Sequence, residues 1–386
     1  MEPNTQPCPR RIASHWAFTP RGLLRRPVIS LNEQGVITDI QSAERIDSLA
    51  ATEFYGGVLI PAMTNAHCHL ELSALAGAIP PGGGLAAFAR AMGGVKRDTT
   101  DRARAIALQD ALMWQQGVAA VADVCNGDAT FDVKRRSPVR YLSLLELFGM
   151  NTFSTQHIEE LAAEASAAGL RWNVTPHATY SLQRESFAAA VALGEGPLSI
   201  HFMESPDERE LFEGRGPLWD WYASKGFSMD FLEYGSPAGR VIAQVPADRD
   251  IMLIHNTYIE EEDVQRLTAH FGPRVTFVLC PASNRYISGA RPPVEMLRGR
   301  GVRIALGTDS LASNDALSMA AEMRLLDGVP TEDLLRWATS NGAEALGIDD
   351  NFGSLAVGKA PGLAIIENLN PETLQFTART VTRRLV

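Results

Sequence analysis

From residue 62 onward, short apolar runs alternate with amphipathic stretches. The runs predict strands at 62–67, 118–123, 139–148, 171–176, 198–201, 251–255, 275–280 and 302–308. Between them, Thr100–Gln116, Ile158–Ala168, Arg184–Leu193 and Glu260–His270 keep apolar residues at helical spacing. Such alternation predicts repeated βα units around a parallel sheet. Eight units in about 280 residues match the count and size of a closed (β/α)8 TIM barrel. A helix over Thr331–Leu346 ends the series. Both flanks look different. Val28–Leu31 and Val36–Ile40 flank the turn Asn32–Gly35 as a hairpin, and Gly353–Lys359 and Leu363–Ile366 read as short strands. The expected fold is therefore α/β: residues 61–348 form the barrel, and residues 1–60 and 349–386 form one small β-sandwich domain built from both chain ends.

The polar residues that end the apolar runs decide between architectures. A doubly wound open sheet is the alternative, but no Gly-rich phosphate loop follows the first strand. Four different strands also end in metal-ligand types. In a barrel, all carboxyl ends face one mouth. The first strand leads into His67-Cys68-His69, whose two histidines point to one side because strand side chains alternate. Ser199-Ile200-His201, Leu253-Ile254-His255 and Ala305-Leu306-Gly307-Thr308-Asp309 repeat the pattern.

A strand-terminal histidine taken alone is commonly a hydrogen-bonded structural residue; five such groups on four strands read as a metal site. His67, His69, His201 and Asp309 offer three neutral nitrogens and a carboxylate, a set suited to one divalent ion, zinc first, with iron, nickel or manganese also accepted. Zinc lowers the pKa of bound water from about 15.7 to about 7. His255 reads either as a fifth ligand or as a hydrogen-bond donor. Glu204, in His201-Phe202-Met203-Glu204, reads as a general acid/base. Its other reading is a helix-start glutamate, since Ser205-Pro206-Asp207-Glu208 opens a helix. None of the four lysines (Lys96, Lys134, Lys225, Lys359) stands at the end of the fourth strand, where His177 is found, so the site reads as mononuclear.

Composition narrows the class further. The chain has 386 residues, 45% hydrophobic and 21% charged, with formal charge -10. That describes a soluble globular protein and argues against a nucleic-acid surface. The basic cluster Arg21, Arg25 and Arg26 reads as a solvated edge. Met1-Glu2-Pro3-Asn4 does not open a signal peptide, and no apolar stretch reaches the roughly 20 residues that span a bilayer. Cys8, Cys68, Cys125 and Cys280 are scattered without a C-x-x-C, so no disulfide framework is implied and a cytoplasmic protein is expected.

With these residues in place, the chain resembles the amidohydrolase superfamily, in its mononuclear deaminase branch. His67-x-His69, His201-x-x-Glu204, His255 and Thr308-Asp309 carry the resemblance along nearly the whole chain. Val357-Gly358-Lys359-Ala360 is similar to the superfamily's tail signature, with Pro361-Gly362 where alanine-aspartate is usual. Finer motifs resemble the aminodeoxyfutalosine deaminases: His67-Cys68-His69-Leu70-Glu71, His201-Phe202-Met203-Glu204-Ser205, Cys280-Pro281-Ala282-Ser283-Asn284-Arg285 and Thr308–Asn314. Deaminases of adenosine, methylthioadenosine and S-adenosylhomocysteine share much of this frame.

The resemblance implies hydrolysis of a 6-amino group on a purine nucleoside, with ammonia released, in the futalosine route to menaquinone. It implies that His67, His69, His201 and Asp309 hold the metal and that Glu204 relays a proton to N1. Asp309 would pass a proton to the leaving amine, and His255 would orient water and the developing oxyanion. Glu71 would accept from ribose hydroxyls, or else sits at a helix start. His177 would contact ribose or base, or else bind its own loop. Ser313 would touch the purine, or else cap a helix. Arg285 or Arg209 would pair with a substrate carboxylate, or else is a solvated arginine. Guanine deaminase and chlorohydrolase chemistries of the same superfamily are the alternatives, with a non-catalytic scaffold a third. A homodimer is compatible with the architecture.

Overall fold

A computed structural model describes residues 9–45, 49–95, 99–150 and 155–386. Met1–Asn4, Cys8 and Lys96, which entered the expectations above, lie outside them.

The first region is a sheet. Strands β1 (Arg10–Thr19), β2 (Gly22–Arg25), β3 (Pro27–Leu31), β4 (Ile37–Ser42) and β5 (Glu53–Pro61) lead the chain in. Asn32 shapes the expected hairpin turn, its side-chain oxygen accepting from the Gln34 and Val36 amides at 3.0 and 2.9 Å. Eight further strands follow: β6 (Met63–Cys68), β7 (Val118–Cys125), β8 (Arg140–Leu147), β9 (Arg171–Pro176), β10 (Leu198–Phe202), β11 (Ile251–His255), β12 (Val275–Leu279) and β13 (Ile304–Leu306). Each corresponds to one predicted apolar run. Near the end, β14 (Leu363–Glu367) and β15 (Val381–Arg384) return to the first sheet, with Ala364 opposite Ile60 and Ile366 opposite Val58.

Both chain ends thus meet in one seven-stranded sheet, ordered β15-β14-β5-β1-β3-β4 with β2 on β1. Its seven strands are linked by hydrogen bonds without a break. Ile12, Ile29, Leu59, Leu363 and Ile365 build its core.

The other eight strands form two parallel sheets, β6-β7-β8-β9 and β10-β11-β12-β13. Parallel bridges at Cys68–Asp309 and Ala178–His201 join them at both seams. Strands covered on both faces read as continuous apolar runs, and every residue of β7, β10, β11 and β12 is buried. One set of alternate residues, including Ala66, Ala122, Leu144 and Ile254, packs with Ala343 of a late helix and with Leu346 just after it.

Two tail expectations change. The helix expected over Thr331–Leu346 is two, Thr331–Ala338 and Ser340–Ala345. Thr339 lies between them with φ −127° and ψ −89°, its hydroxyl donating to the Leu335 carbonyl at 2.6 Å. Residues 353–359 are turns instead of a strand. Gly353 has φ +77°, and a Cβ there would lie 2.7 Å from the Ala343 Cβ, so close packing replaces extension. Only Gly358 and Lys359 exchange backbone hydrogen bonds with Ile37.

Candidate active site

Four strand ends set the site. His67 lies in β6 and His69 just beyond it; His201 lies in β10, His255 ends β11 and Asp309 follows β13. Backbone contacts bring the last of these to the first: the amides of Thr308 and Asp309 both donate to the His67 carbonyl, at 2.9 and 3.1 Å. Gly307 permits the approach, because a Cβ there would lie 2.8 Å from that of His67. Asn65 secures the same seam, its amide donating to the Thr308 hydroxyl at 2.7 Å.

The side chains converge and are buried. The Nε2 atoms of His67 and His69 lie 3.2 Å apart, and Asp309 Oδ1 lies 3.9 and 3.7 Å from them. His67, His201 and His255 place ring nitrogens within 4.8 Å of one another, as His67, His69 and Asp309 place their ligand atoms. Ligands about 2.0–2.2 Å from a tetrahedral ion sit roughly 3.3–3.6 Å apart, so this donor set fits a first-row divalent cation.

Their surroundings prepare them for it. Burial and neighbouring imidazoles push the His67 and His201 pKa values down, which keeps ligand lone pairs free. Burial acts to raise the Asp309 carboxyl, but the surrounding histidines and the Ser283 hydroxyl outweigh it and hold it at about 2. Ser283 and Ser313 both donate to Asp309 Oδ2, at 2.5 and 2.9 Å. Met203, His255, Asn256 and Asp309 have positive φ, between +49° and +76°. Left-handed backbone at non-glycine residues costs about 1–3 kcal/mol each and clusters at functional sites.

Glu204 is also buried here, its Oε1 3.6 Å from His255 Nε2. Burial raises its pKa, with Asp309 adding and His255 opposing. Across the ring, His255 Nδ1 lies 2.9 Å from Asn284 Oδ1. Glu204 precedes the helix Pro206–Phe212 and does not cap it. That role belongs to Ser205, which accepts from the Asp207 amide.

The remaining candidates separate. Glu71 is buried, accepting from Arg102 at 3.3 Å and from the Asn126 amide at 3.2 Å. Burial raises it to about 7 against the pull of Arg102. His177 stacks on His201 with ring centroids 4.7 Å apart, and its Nδ1 pairs with Ser181 at 3.1 Å. Ser313 joins the cluster through Asp309. Arg285 is exposed on the helix Pro281–Ile287. Arg209 is drawn to the start of another helix, where Asp263 and Glu260 hold it at 2.7 and 3.4 Å.

Several contributors were absent from the sequence reading. Glu146, near the end of β8, sets Oε1 3.9 Å from His201 Nε2, and Asn126 donates to its other oxygen at 2.9 Å. A carboxylate closing an apolar run was its signal, the one that marked His201. Ser283 and Asn284 stood inside a motif already noted, but their partners come from distant strands.

Comparison with known proteins is decisive at this point. Residues 58–385 match the amidohydrolase family. The chain belongs to that family. It is accordingly a hydrolase of carbon–nitrogen bonds. It is 26% identical to an adenosine deaminase of Helicobacter pylori over 366 residues, covering 87% of each protein. It is 28% identical to an aminodeoxyfutalosine deaminase of Deinococcus radiodurans over 334 residues, 77% of this chain and 75% of that one. Among solved structures, Helicobacter pylori aminofutalosine deaminase in complex with methylthio-coformycin superposes with a TM-score of 0.79, at 23% identity over 95% of this chain and 94% of that one. Among the described residues, no helix is long and apolar enough to cross a membrane.

Proposed function

We propose that this family member is a hydrolytic deaminase of 6-aminopurine nucleosides, and that aminodeoxyfutalosine is its substrate, in the futalosine route to menaquinone in the cytoplasm. One observation carries the reading: His67, His69, His201 and Asp309 meet Glu204 and His255 in a single buried cluster. The two relatives named above that cover most of the chain are purine-nucleoside deaminases by name, which supports it. We assign residues 61–348 to a closed (β/α)8 barrel whose mouth holds this cluster, and residues 1–60 and 349–386 to the β domain.

His67, His69, His201 and Asp309 would hold one divalent ion, zinc by donor chemistry, with iron, nickel or manganese as substitutes. When bound, it supplies a water activated for attack at neutral pH. The protein's own groups then move protons. Water oxygen bonds to C6 of the purine while Glu204, kept protonatable by burial, delivers a proton to N1. Asp309, fixed by Ser283 and Ser313, transfers the remaining water proton to the amino nitrogen. The C6–N bond breaks, ammonia leaves and a C6 carbonyl remains. His255, oriented by Asn284, steadies the oxygen that carries developing charge. Glu71 accepts from the ribose hydroxyls, with His177 and Ser313 lining the same mouth. Arg285 pairs with the substrate carboxylate; Arg209, tied to Asp263 and Glu260, is not assigned that task.

Product analysis on metal-loaded protein tests the reading. Incubation with a 6-aminopurine nucleoside and separately with a chlorotriazine should give ammonia from the first and no chloride from the second. Chloride release without ammonia would replace deamination with dehalogenation.

A further inference from the structure

We infer that Glu322 is a positioning residue for the proposed deamination, aiming the Asp309 carboxylate through the segments that follow β12 and β13. The inference rests on that reading of the site. Glu322 lies on the short helix Met319–Arg324 and is fully buried. Its oxygens face one donor each: Oε2 accepts from the Ala282 amide at 2.8 Å, and Oε1 from the Asn314 side-chain amide at 2.9 Å. Burial raises its carboxyl to about 8 against these two donors. In either protonation state, each oxygen keeps a lone pair for its N–H.

Both partners are chain neighbours of residues that touch Asp309. Ala282 precedes Ser283, which donates to Asp309 Oδ2 at 2.5 Å. Asn314 follows Ser313, the second donor to that oxygen, at 2.9 Å. The other amide hydrogen of Asn314 goes to the Thr308 carbonyl at 2.8 Å, one residue before Asp309. Ser283 and Ser313 therefore reach Asp309 from segments after different strands, with their hydroxyl oxygens 2.9 Å apart. Glu322 ties the two segments together. Asp309 itself has φ +55°, and left-handed backbone persists only where its surroundings over-determine it.

Glu322→Gln keeps one acceptor and turns an NH2 group on the other N–H, so it loses one of the two bonds at nearly constant size. Ser283 or Ser313 is then free to shift, and the carboxylate that passes a proton to the leaving amine loses its fixed direction. Such a loss falls on turnover, because the bonds of Glu322 run to the frame of Asp309 and not to a substrate group.

Steady-state deamination of adenosine by zinc-saturated protein, beside zinc affinity measured by competition with a chromophoric chelator, tests this. Glu322→Gln should lower kcat about 10–100-fold and weaken zinc about tenfold or more, with KM within about twofold of wild type. Asn314→Ala, which removes one of the two donors, should show the same split and serves if Glu322→Gln does not fold. In a Ser283→Ala/Ser313→Ala background the path to Asp309 is already cut, and Glu322→Gln should cost less than about threefold more. Unchanged kcat and zinc affinity, a loss carried by KM alone, or a loss that multiplies undiminished in the double-serine background would each overturn the inference. Wild type that binds zinc but releases no ammonia would instead sink the deaminase reading, with the zinc comparison still deciding whether Glu322 places Asp309.

Discussion

Replacing Lys134 with methionine probes how the floor under the histidines is held. Lys134 Nζ lies 2.6 Å from Asp123 Oδ2, and neither side chain reaches solvent. Nζ also lies 2.9 Å from Cys125 Sγ and 3.0 Å from Ser143 Oγ. Asp123 Oδ1 accepts from the Leu70 amide at 2.7 Å, one residue beyond His69. Burial works against a charged lysine here, but Asp123 and Cys125 outweigh it and the Lys134 pKa is raised. Methionine keeps the apolar stem and deletes the charge, so the Asp123 carboxylate loses its counter-ion inside the protein. Breaking a buried pair in this way costs about 3–5 kcal/mol. That is a large part of the roughly 5–15 kcal/mol that holds a folded domain together. Urea unfolding followed by tryptophan fluorescence measures the loss. The double variant Asp123→Asn/Lys134→Met strands no charge and should recover more than half of it, a coupling that a double-mutant cycle reads directly. If Lys134→Met stays within about 1 kcal/mol of wild type, the pair does not carry the stability assigned to it.

Three further outcomes are expected. Glu204→Gln should lower kcat by about 10²–10⁴ while zinc content stays at the wild-type value, and a loss under tenfold would remove Glu204 from proton transfer. Glu208 is buried, and burial lifts its carboxyl from 4.5 to about 8 against the Thr179 hydroxyl. The folded chain therefore keeps this proton longer than the unfolded one, and stability present below pH 4.5 is lost as pH rises toward 8, by at most about 5 kcal/mol. Glutamine does not titrate, so Glu208→Gln should gain on wild type in urea melts between those limits; a constant gap would contradict the assignment. Arg285→Leu should raise KM for aminodeoxyfutalosine about tenfold or more, the worth of one charged hydrogen bond, and spare methylthioadenosine. Equal losses on both substrates would take Arg285 out of carboxylate binding.

Much of this molecule was legible before any coordinates. The eight parallel strands came through because strands covered on both faces are unbroken apolar runs, as in Ile251–His255. The polar residue ending such a run then marked the site. The same rule applied to Arg140–Leu147 marks Glu146 as well. Less was visible in the outer sheet. β1 and β15 carry exposed and half-buried positions, which blur the apolar signal, and β15 pairs with β14 only after a separation of turns. The last helix is interrupted at Thr339, whose φ of −127° and ψ of −89° leave the helical region although apolar spacing continues without a gap. The partners of Arg209 were not legible either, because Glu260 and Asp263 are far along the chain and reach it only through packing.

Ammonia release gives the most direct test of the central claim. Zinc-loaded wild type would be assayed on aminodeoxyfutalosine, adenosine, methylthioadenosine, S-adenosylhomocysteine and guanine, with Glu204→Gln as the blank. The account predicts ammonia from the 6-aminopurine nucleosides, with kcat/KM highest for aminodeoxyfutalosine. No ammonia from any of them, with zinc bound, would contradict it.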